Sequence, residues 1–215
     1  MKIKLLIFFS IIAFSINAFS SLPAVPLNCF SNNKYCTKIS IERDQNSSKI
    51  IKVKAFLKLD KSKFGELSNV LDRFYNFDQW DSYVAGSNNI NFIATEPRLV
   101  ESAEELTRHF THYNVKVPWP LKRLEVIDLV KYIDISDEFP DSLHSASFSS
   151  VPEFDDREGV KYANGILHIG LSDDQSYFIL YYLTDVLPSI SILLSKAAPY
   201  IEAALMDILL GVVSN

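Results

Sequence analysis

The sequence is poor in glycine, cysteine and histidine, and it has no excess of positive charge. Its 215 residues include 6 glycines, 2 cysteines and 4 histidines, and they form neither a glycine-rich phosphate loop nor a GxSxG nucleophile turn. Acidic residues outnumber basic residues by 26 to 21, and no basic stripe occurs, which argues against nucleic acid as a partner. The composition therefore indicates neither nucleotide nor nucleic-acid binding, and we expect no cofactor.

The first twenty residues have the pattern of a targeting segment. Lys2 and Lys4 precede the apolar run LLIFFSIIAF, and small residues follow at Ala18 and Ser20. This order is typical of a cleaved secretory signal, and the run is short for a membrane span. An uncleaved N-terminal anchor is the alternative. We therefore expect residues 1–20 to be a signal peptide and the mature protein to be periplasmic or secreted.

Both cysteines lie near the start of the exported chain. In an oxidising compartment we expect Cys29 and Cys36 to form one disulfide that closes a short loop, whereas two free thiols are the alternative. The remaining length suffices for one domain with its own core. The predicted organisation is an N-terminal extension, 21–34, which holds the disulfide loop, followed by a single domain, 35–215.

The pattern of apolar residues predicts strands, one helix, further strands and a long final helix. The predicted strands are 35–42, 49–59, 90–94, 98–102, 105–117, 125–135, 143–149, 160–171 and 176–184. Apolar residues in 64–78 follow helical spacing, and those from about 186 to 213 form one broad apolar face around Pro199. The segment 125–135 fits a helix almost as well as a strand. We expect an α+β fold in which a curved antiparallel sheet wraps around a long C-terminal helix.

Four features of the chain together match the pattern of one known family. An aromatic cluster, 74–84, follows the first predicted helix, and a strand leads into Pro118-Trp119-Pro120. The segment TDVLPSIS, 184–191, precedes the last helix, and that helix contains Ala-Ala-Pro. These features resemble the START family of lipid-binding domains, within the helix-grip (SRPBCC) superfamily, which often has a tryptophan after its first helix, a PWP link after a strand and a DPxGxIP segment before its last helix. The resemblance covers about residues 35–213 and implies a helix-grip fold with a cavity for a hydrophobic ligand.

The chain also departs from the family pattern. Leu124-Glu125 stands where the PWP link is followed by Arg-Asp, and the second motif lacks its glycine pair and has its proline displaced to Pro188. The resemblance places Trp119 at the rim of the cavity, and a surface corner that covers the core is the alternative. A buried Glu125 would need a partner, and a solvent-exposed Glu125 is equally compatible with the sequence.

The candidate ligand-binding residues are chosen because they lie on strand faces, in the PWP link or at helix positions that would border the implied cavity. Arg108, Phe110 and His112 share one face of their predicted strand, which is either a cavity wall with polar groups or a solvated surface. Small residues on the final helix would leave volume for a ligand. The full set is Trp80, Arg108, Phe110, His112, Trp119, Glu125, Tyr181, Ala197, Ile201 and Ala204.

The sequence contains no motif that indicates a catalytic or metal site. His109 and His112 form an HxxH, but in a strand residues i and i+3 point to opposite faces, so we expect no metal site. We predict a monomeric exported binding or carrier protein for a lipid or other hydrophobic small molecule, with transient membrane contact. The alternative is a cyclase- or hydrolase-type enzyme of the same superfamily, but no serine lies in a nucleophile motif and the polar candidates follow no catalytic pattern.

Overall fold

The computed structural model of the protein describes residues 22, 24–31, 34–117, 124–152, 160–188 and 194–214. The predicted signal peptide, 1–20, and Trp119 lie outside the described residues. Within the described ranges, no helix has the length and apolar content that crossing a membrane requires.

Eight strands within the described ranges form one antiparallel sheet. In chain order they are β1 (Tyr35–Arg43), β2 (Lys49–Asp60), β3 (Ile90–Pro97), β4 (Glu105–Val115), β5 (Leu124–Asp134), β6 (His144–Pro152), β7 (Val160–Leu171) and β8 (Tyr177–Pro188). Across the sheet the order is β1-β2-β8-β7-β6-β5-β4-β3. The last six strands therefore form a meander, and the pairing of β2 with β8 joins this meander to the first hairpin.

Four α-helices accompany the sheet in the part of the chain that the structure describes. They are α1 (Lys61–Phe64), α2 (Leu67–Tyr75), α3 (Trp80–Tyr83) and α4 (Leu194–Ser214). The first three carry the chain from β2 to β3, which lies at the far edge of the sheet. The helix predicted at 64–78 is divided, because Gly65 follows α1 with a φ of 69°, in the left-handed region that favours glycine.

The inner face of the sheet, which packs against α4, holds the main hydrophobic core. Alternate residues of β2 lie in this core almost without exposure, as the strand period of two requires. They are Ile51, Val53, Ala55, Leu57 and Leu59. The buried residues that α4 adds to the same core are Leu194, Ala198, Ile201, Ala204, Met206, Ile208, Leu209 and Val212. This arrangement confirms the predicted α+β helix-grip fold, a curved antiparallel sheet around a long C-terminal helix.

The N-terminal segment covers part of the opposite, outer face of the sheet. Phe56 of β2 and Tyr181 of β8 are register partners on this face, and their rings meet edge-on with centroids 5.7 Å apart. Cys29 packs with them in a second buried cluster, and its disulfide with Cys36 ties the segment to β1. The predicted disulfide is confirmed, and the segment before β1 takes part in the packing of the sheet.

Two predicted elements differ from the structure, whereas the segment 125–135, predicted as a strand with a helix as the alternative, forms β5. Residues 98–102 follow β3 without forming a strand. Val186, predicted to begin the final helix, belongs to β8 because it pairs with Ile51 of β2 and Ala163 of β7. Most of β8 is buried on both faces, so its sequence has no polar alternation that would mark where the strand ends.

The disulfide is expected to stabilise the protein modestly. Its cysteines are 7 positions apart. Closing so short a loop lowers the conformational entropy of the unfolded chain, which stabilises the folded protein by roughly 2.5 kcal/mol. Replacing Cys29 and Cys36 together by serine should therefore lower the free energy of unfolding by about this amount, as measured by urea denaturation. In the unmodified protein, thiol labelling under denaturing, non-reducing conditions should find no free cysteine, and two labelled thiols per chain would contradict the assignment.

Candidate ligand-binding cavity

A cavity of about 110 Å³ lies between the inner face of the sheet and α4. Every strand from β2 to β8 contributes side chains to its wall. The residues of α4 that close it are Ile201, Ala204, Leu205, Ile208 and Leu209. Most of the lining side chains are aliphatic or aromatic, and none of the described ones carries a formal charge. Such a concave, largely apolar space with a few polar groups is typical of a small-molecule site.

Aromatic rings form much of the wall and hold one another in place. Phe77, in a short 3₁₀ turn after α2, stacks on Trp80 of α3 with ring centroids 4.2 Å apart. Phe148 of β6 stacks on Tyr182 of β8 at 4.8 Å. Its ring crosses Gly165 of the intervening β7, where a Cβ atom would lie only 2.4 Å from it. The absence of a side chain at this glycine therefore lets the two rings meet.

Three tyrosines of the wall are uncharged at neutral pH. Burial raises the pKa of Tyr113, Tyr132 and Tyr182 further above its usual value, because the phenolate would lose its hydration. Tyr132 and Tyr182 also hydrogen-bond to each other. The tyrosines thus contribute ring surface and neutral hydroxyl groups to the site.

Asp128 of β5 places a carboxyl group among apolar neighbours on the inner face. Val126 and Val130, two positions away on either side, both line the cavity, and Asp128 itself is only 1% exposed. Ser150 of β6 donates a hydrogen bond to Oδ2 of Asp128, whereas Oδ1 has no hydrogen-bond partner among the described residues. A buried carboxyl oxygen without a donor is costly, so packing alone does not account for an acid at this position.

Two further polar atoms of the wall are without hydrogen-bond partners in the described part of the chain. Thr111 of β4 lies directly opposite Asp128 in the sheet register, and its hydroxyl oxygen is one of them. The other is the indole Nε1 of Trp80. The Cβ atoms of directly opposite residues lie roughly 5 Å apart, so Thr111 and Asp128 are close neighbours on the inner face. We call this pair of residues the polar spot.

Burial raises the pKa of the Asp128 carboxyl to about 6, and the hydrogen bond from Ser150 opposes part of this rise. At neutral pH the group is therefore largely ionised, although its surroundings disfavour the charge. An acid whose pKa is raised in this way beside a cavity is a typical marker of a functional site.

Three of the residues proposed from the sequence lie in the cavity wall. Trp80 comes from α3, and Ile201 and Ala204 come from α4. Ala197, one turn earlier on α4, is half-buried against the core and is not among the lining residues. A ligand contact for these residues stays a prediction.

Arg108, Phe110 and His112 lie on the outer face of β4, away from the cavity. The lining residues of this strand are the intervening Thr111, Tyr113 and Val115, so the face proposed from the sequence is the opposite one. The three outer residues have partners outside the cavity instead. Arg108 binds Glu105 and Glu101, Phe110 lies under the guanidinium of Arg98, and His112 Nε2 is 2.8 Å from Glu125 Oε1.

Tyr181 also lies on the outer face, in the cluster with Cys29 and Phe56, whereas its neighbour Tyr182 lines the cavity. Both faces of β8 are apolar, so the sequence alone does not distinguish the two tyrosines. The structure therefore places Tyr181, Arg108, Phe110, His112 and Glu125 outside the cavity wall.

The candidate residues predicted from the sequence did not include Asp128, Thr111 and Ser150. A signal was present, since Asp128 interrupts the apolar run of 126–130 at a position that alternates with valines. That signal required the segment to be assigned as a strand with a known inner face. Thr111, Asp128 and Ser150 also belong to three different strands, and a sequence without the strand register does not reveal that these residues meet.

Within the described residues, no group of three or more histidine, cysteine, aspartate or glutamate side chains is arranged to hold a metal ion. His109 and His112 project from opposite faces of β4, as expected for a strand. His109 stacks on Phe77 with centroids 4.7 Å apart, and His112 is bonded to Glu125.

Comparison with known proteins gives similarity in fold at low sequence identity. No family model and no curated protein matches the chain. Among solved structures, human STARD10 is 12% identical with a TM-score of 0.46, and the match covers 82% of this chain and 73% of that one. The lipid transfer and protein localization domain of human StarD13 is 14% identical with a TM-score of 0.47, and 83% of each chain is covered.

A STAR-related lipid transfer protein from Xanthomonas axonopodis is 15% identical with a TM-score of 0.46, and the match covers 82% of this chain and 97% of that fragment. At such identities the similarity concerns the arrangement of strands and helices alone. The nature of a ligand has to be argued from the side chains of this chain.

Replacing Asp128 by asparagine should stabilise the protein at neutral pH. The ordinary pKa of an aspartate carboxyl is 3.8, and that of Asp128 in the folded protein is about 6, so folding favours the protonated form. Its contribution to stability is complete below about pH 3.8 and is lost as the pH rises through 6. The variant should therefore exceed the unmodified protein by about 3 kcal/mol in the free energy of unfolding at pH 7, and the difference should vanish near pH 4.

The measurement is urea denaturation of both proteins across this pH range. Burial lowers the pKa of His144 and His168, which destabilises the fold as the pH falls, but these groups are common to both proteins and cancel in the difference. The exposed Asp141, replaced by asparagine, is the matched control and should show little change at any pH. A difference that does not depend on pH would contradict the assignment of a raised pKa to Asp128.

Proposed function

We propose that the protein binds a hydrophobic small molecule or part of a lipid in the cavity between the sheet and α4, as a carrier. The observation that supports this most directly is the combination of an apolar cavity with unpartnered polar atoms in its wall. Close packing normally removes internal volume, and buried polar atoms are normally hydrogen-bonded. Asp128, Thr111 and Trp80 depart from the second rule beside a space that departs from the first. A ligand would account for both departures.

The cavity volume limits the size of the ligand that fits without a conformational change. An engineered protein cavity of about 150 Å³ holds benzene, and the pockets that hold drug-sized ligands are about 300–1,000 Å³. A cavity of about 110 Å³ therefore suits a small apolar molecule or the end of one alkyl chain. A whole lipid would require α4 or the lining side chains to move outward.

The enzyme alternative is supported by one observation, the raised pKa of Asp128, which is suited to general acid–base chemistry. Acid–base or covalent catalysis needs a second group that converges on the same point. The described wall places the Ser150 hydroxyl beside Asp128 but contains no histidine, lysine or arginine, and burial keeps its tyrosines neutral by raising their pKa values. The serine–histidine pair formed by Ser145 and His168 is on the outer face and fully buried, so a substrate has no access to it. Binding is therefore the better-supported function.

We also propose that the protein acts outside the cytoplasm, in the periplasm or after secretion. Two independent features support this location. The first twenty residues follow the order of a secretory signal. The disulfide between Cys29 and Cys36 is of the kind that persists in oxidising compartments. Transient membrane contact and a monomeric state stay predictions.

Filling the cavity from α4 should abolish binding and leave the fold intact. Ala204 is 3% exposed and lines the cavity, so the ring of an Ala204→Phe variant would occupy the space that a ligand needs. With 1-octanol as the probe, calorimetric titration should detect binding to the unmodified protein and none to this variant, at an unchanged melting temperature.

The matched control is Ala203→Phe, since Ala203 is half-buried, adjacent on the same helix and not part of the cavity wall. This control should bind octanol as the unmodified protein does. If the unmodified protein binds no apolar probe and Ala204→Phe only lowers the melting temperature, the space is an ordinary packing defect and the proposed function is wrong. Overpacking of a filled core typically costs 1–3 kcal/mol, which that measurement would detect.

A further inference from the structure

Both unpartnered oxygens at the polar spot are able to accept a hydrogen bond. The ionised Asp128 Oδ1 accepts only, whereas Thr111 Oγ1 both accepts and donates, and the two residues are cross-strand neighbours on the face that borders the cavity. Asp128 and Thr111 are 1% and 2% exposed, so bulk water does not reach them as it reaches a surface carboxylate. A group that satisfies Asp128 Oδ1 must therefore bring a donor, and Thr111 Oγ1 is able to accept a second hydrogen bond from the same group.

The described part of the wall supplies no positive charge to Asp128. The cavity is lined there by no lysine, arginine or histidine. Ser150 donates one neutral hydrogen bond to Asp128, and the wall tyrosines Tyr113, Tyr132 and Tyr182 are uncharged because burial raises their pKa values. Among the described residues, the Asp128 carboxylate thus has a hydrogen-bond donor at one oxygen only and no basic side chain paired with it.

We propose, on the basis of the binding function proposed above, that the ligand is an apolar molecule ending in a hydrogen-bond donor, with an alkylammonium group as the preferred end and a hydroxyl group as the weaker one. The donor group lies at the polar spot, where Asp128 Oδ1 and Thr111 Oγ1 accept its hydrogen bonds. The alkyl part fills the apolar cavity toward α4.

Charge decides the order of preference among ligand end groups. An ammonium group forms a charge-assisted hydrogen bond to the carboxylate and also neutralises it, which a hydroxyl group cannot do. A carboxylate or phosphate end would add a second negative charge to the same low-dielectric space without a cation to pair with. The free indole N–H of Trp80 favours an acceptor, but one neutral donor does not offset repulsion between two buried anions.

The test compares three probes of equal chain length, 1-octylamine, 1-octanol and octanoate, by calorimetric titration of the unmodified protein at about pH 7.5, where the amine is protonated and the acid is ionised. We expect octylamine to bind about tenfold to a hundredfold more tightly than octanoate, with octanol between them. In the Asp128→Asn variant, octylamine should lose this advantage over octanol and octanoate, because the side chain no longer carries a charge. The melting temperature of this variant shows whether it is folded.

The matched control is Asp134→Asn, the same substitution on the same strand at an exposed position that is hydrogen-bonded to Ser136. It should keep the order of the three probes. Octanoate binding as tightly as octylamine, or an Asp128→Asn variant that keeps the preference for the amine, would overturn the inference and leave the proposed binding function intact. Failure of all three probes to bind would instead remove the proposed function, and the inference with it.

Discussion

The antiparallel register of the sheet is the constraint on which the rest of this structure depends. Because side chains alternate between faces with a period of two, a slip by one residue would exchange the inner and outer sets of a whole strand. In β5 such a slip would turn Val126, Asp128 and Val130 away from α4. In β8 it would exchange Tyr182 in the cavity wall for Tyr181 in the outer cluster. The pairing of β2 with β8 fixes both faces together, since it aligns Phe56 with Tyr181 outside and Ala55 with Tyr182 inside.

Much of the fold followed from the sequence, because it rests on local patterns. The period-two segments, the disulfide and the long apolar C-terminal helix each carry their own signal, and the structure contains the disulfide, the helix and eight of the nine predicted strands. The strand predicted at 98–102 and the helix start predicted at 186 were wrong, because pairing with distant strands, which a local pattern does not contain, decides the conformation there. Sequence reasoning was weakest where both faces of a segment are similarly apolar, as in β8.

The candidate site was less predictable for the same reason. The three cavity residues that were predicted on helices, Trp80 of α3 and Ile201 and Ala204 of α4, line the cavity. On β4 the predicted face carried the more conspicuous polar residues, Arg108 and His112, but these have partners outside the cavity. The inner face held threonine and tyrosine, which a sequence reader takes for ordinary strand residues. Polar residues that matter in a cavity are few and are flanked by apolar ones, so they attract less notice than a charged surface.

The polar spot and the cavity are related by their energetics. Ionised Asp128 destabilises the folded protein, because its charge is buried. Asparagine has nearly the same shape and would remove this cost. The proposed ligand would offset this cost, because a bound cation would lower the pKa of Asp128 again and the free energy lost on burying the charge would then contribute to binding. Under the proposed preference, the stability of the protein without its ligand and the affinity for that ligand are opposed at one side chain, which is the relation expected of a binding site.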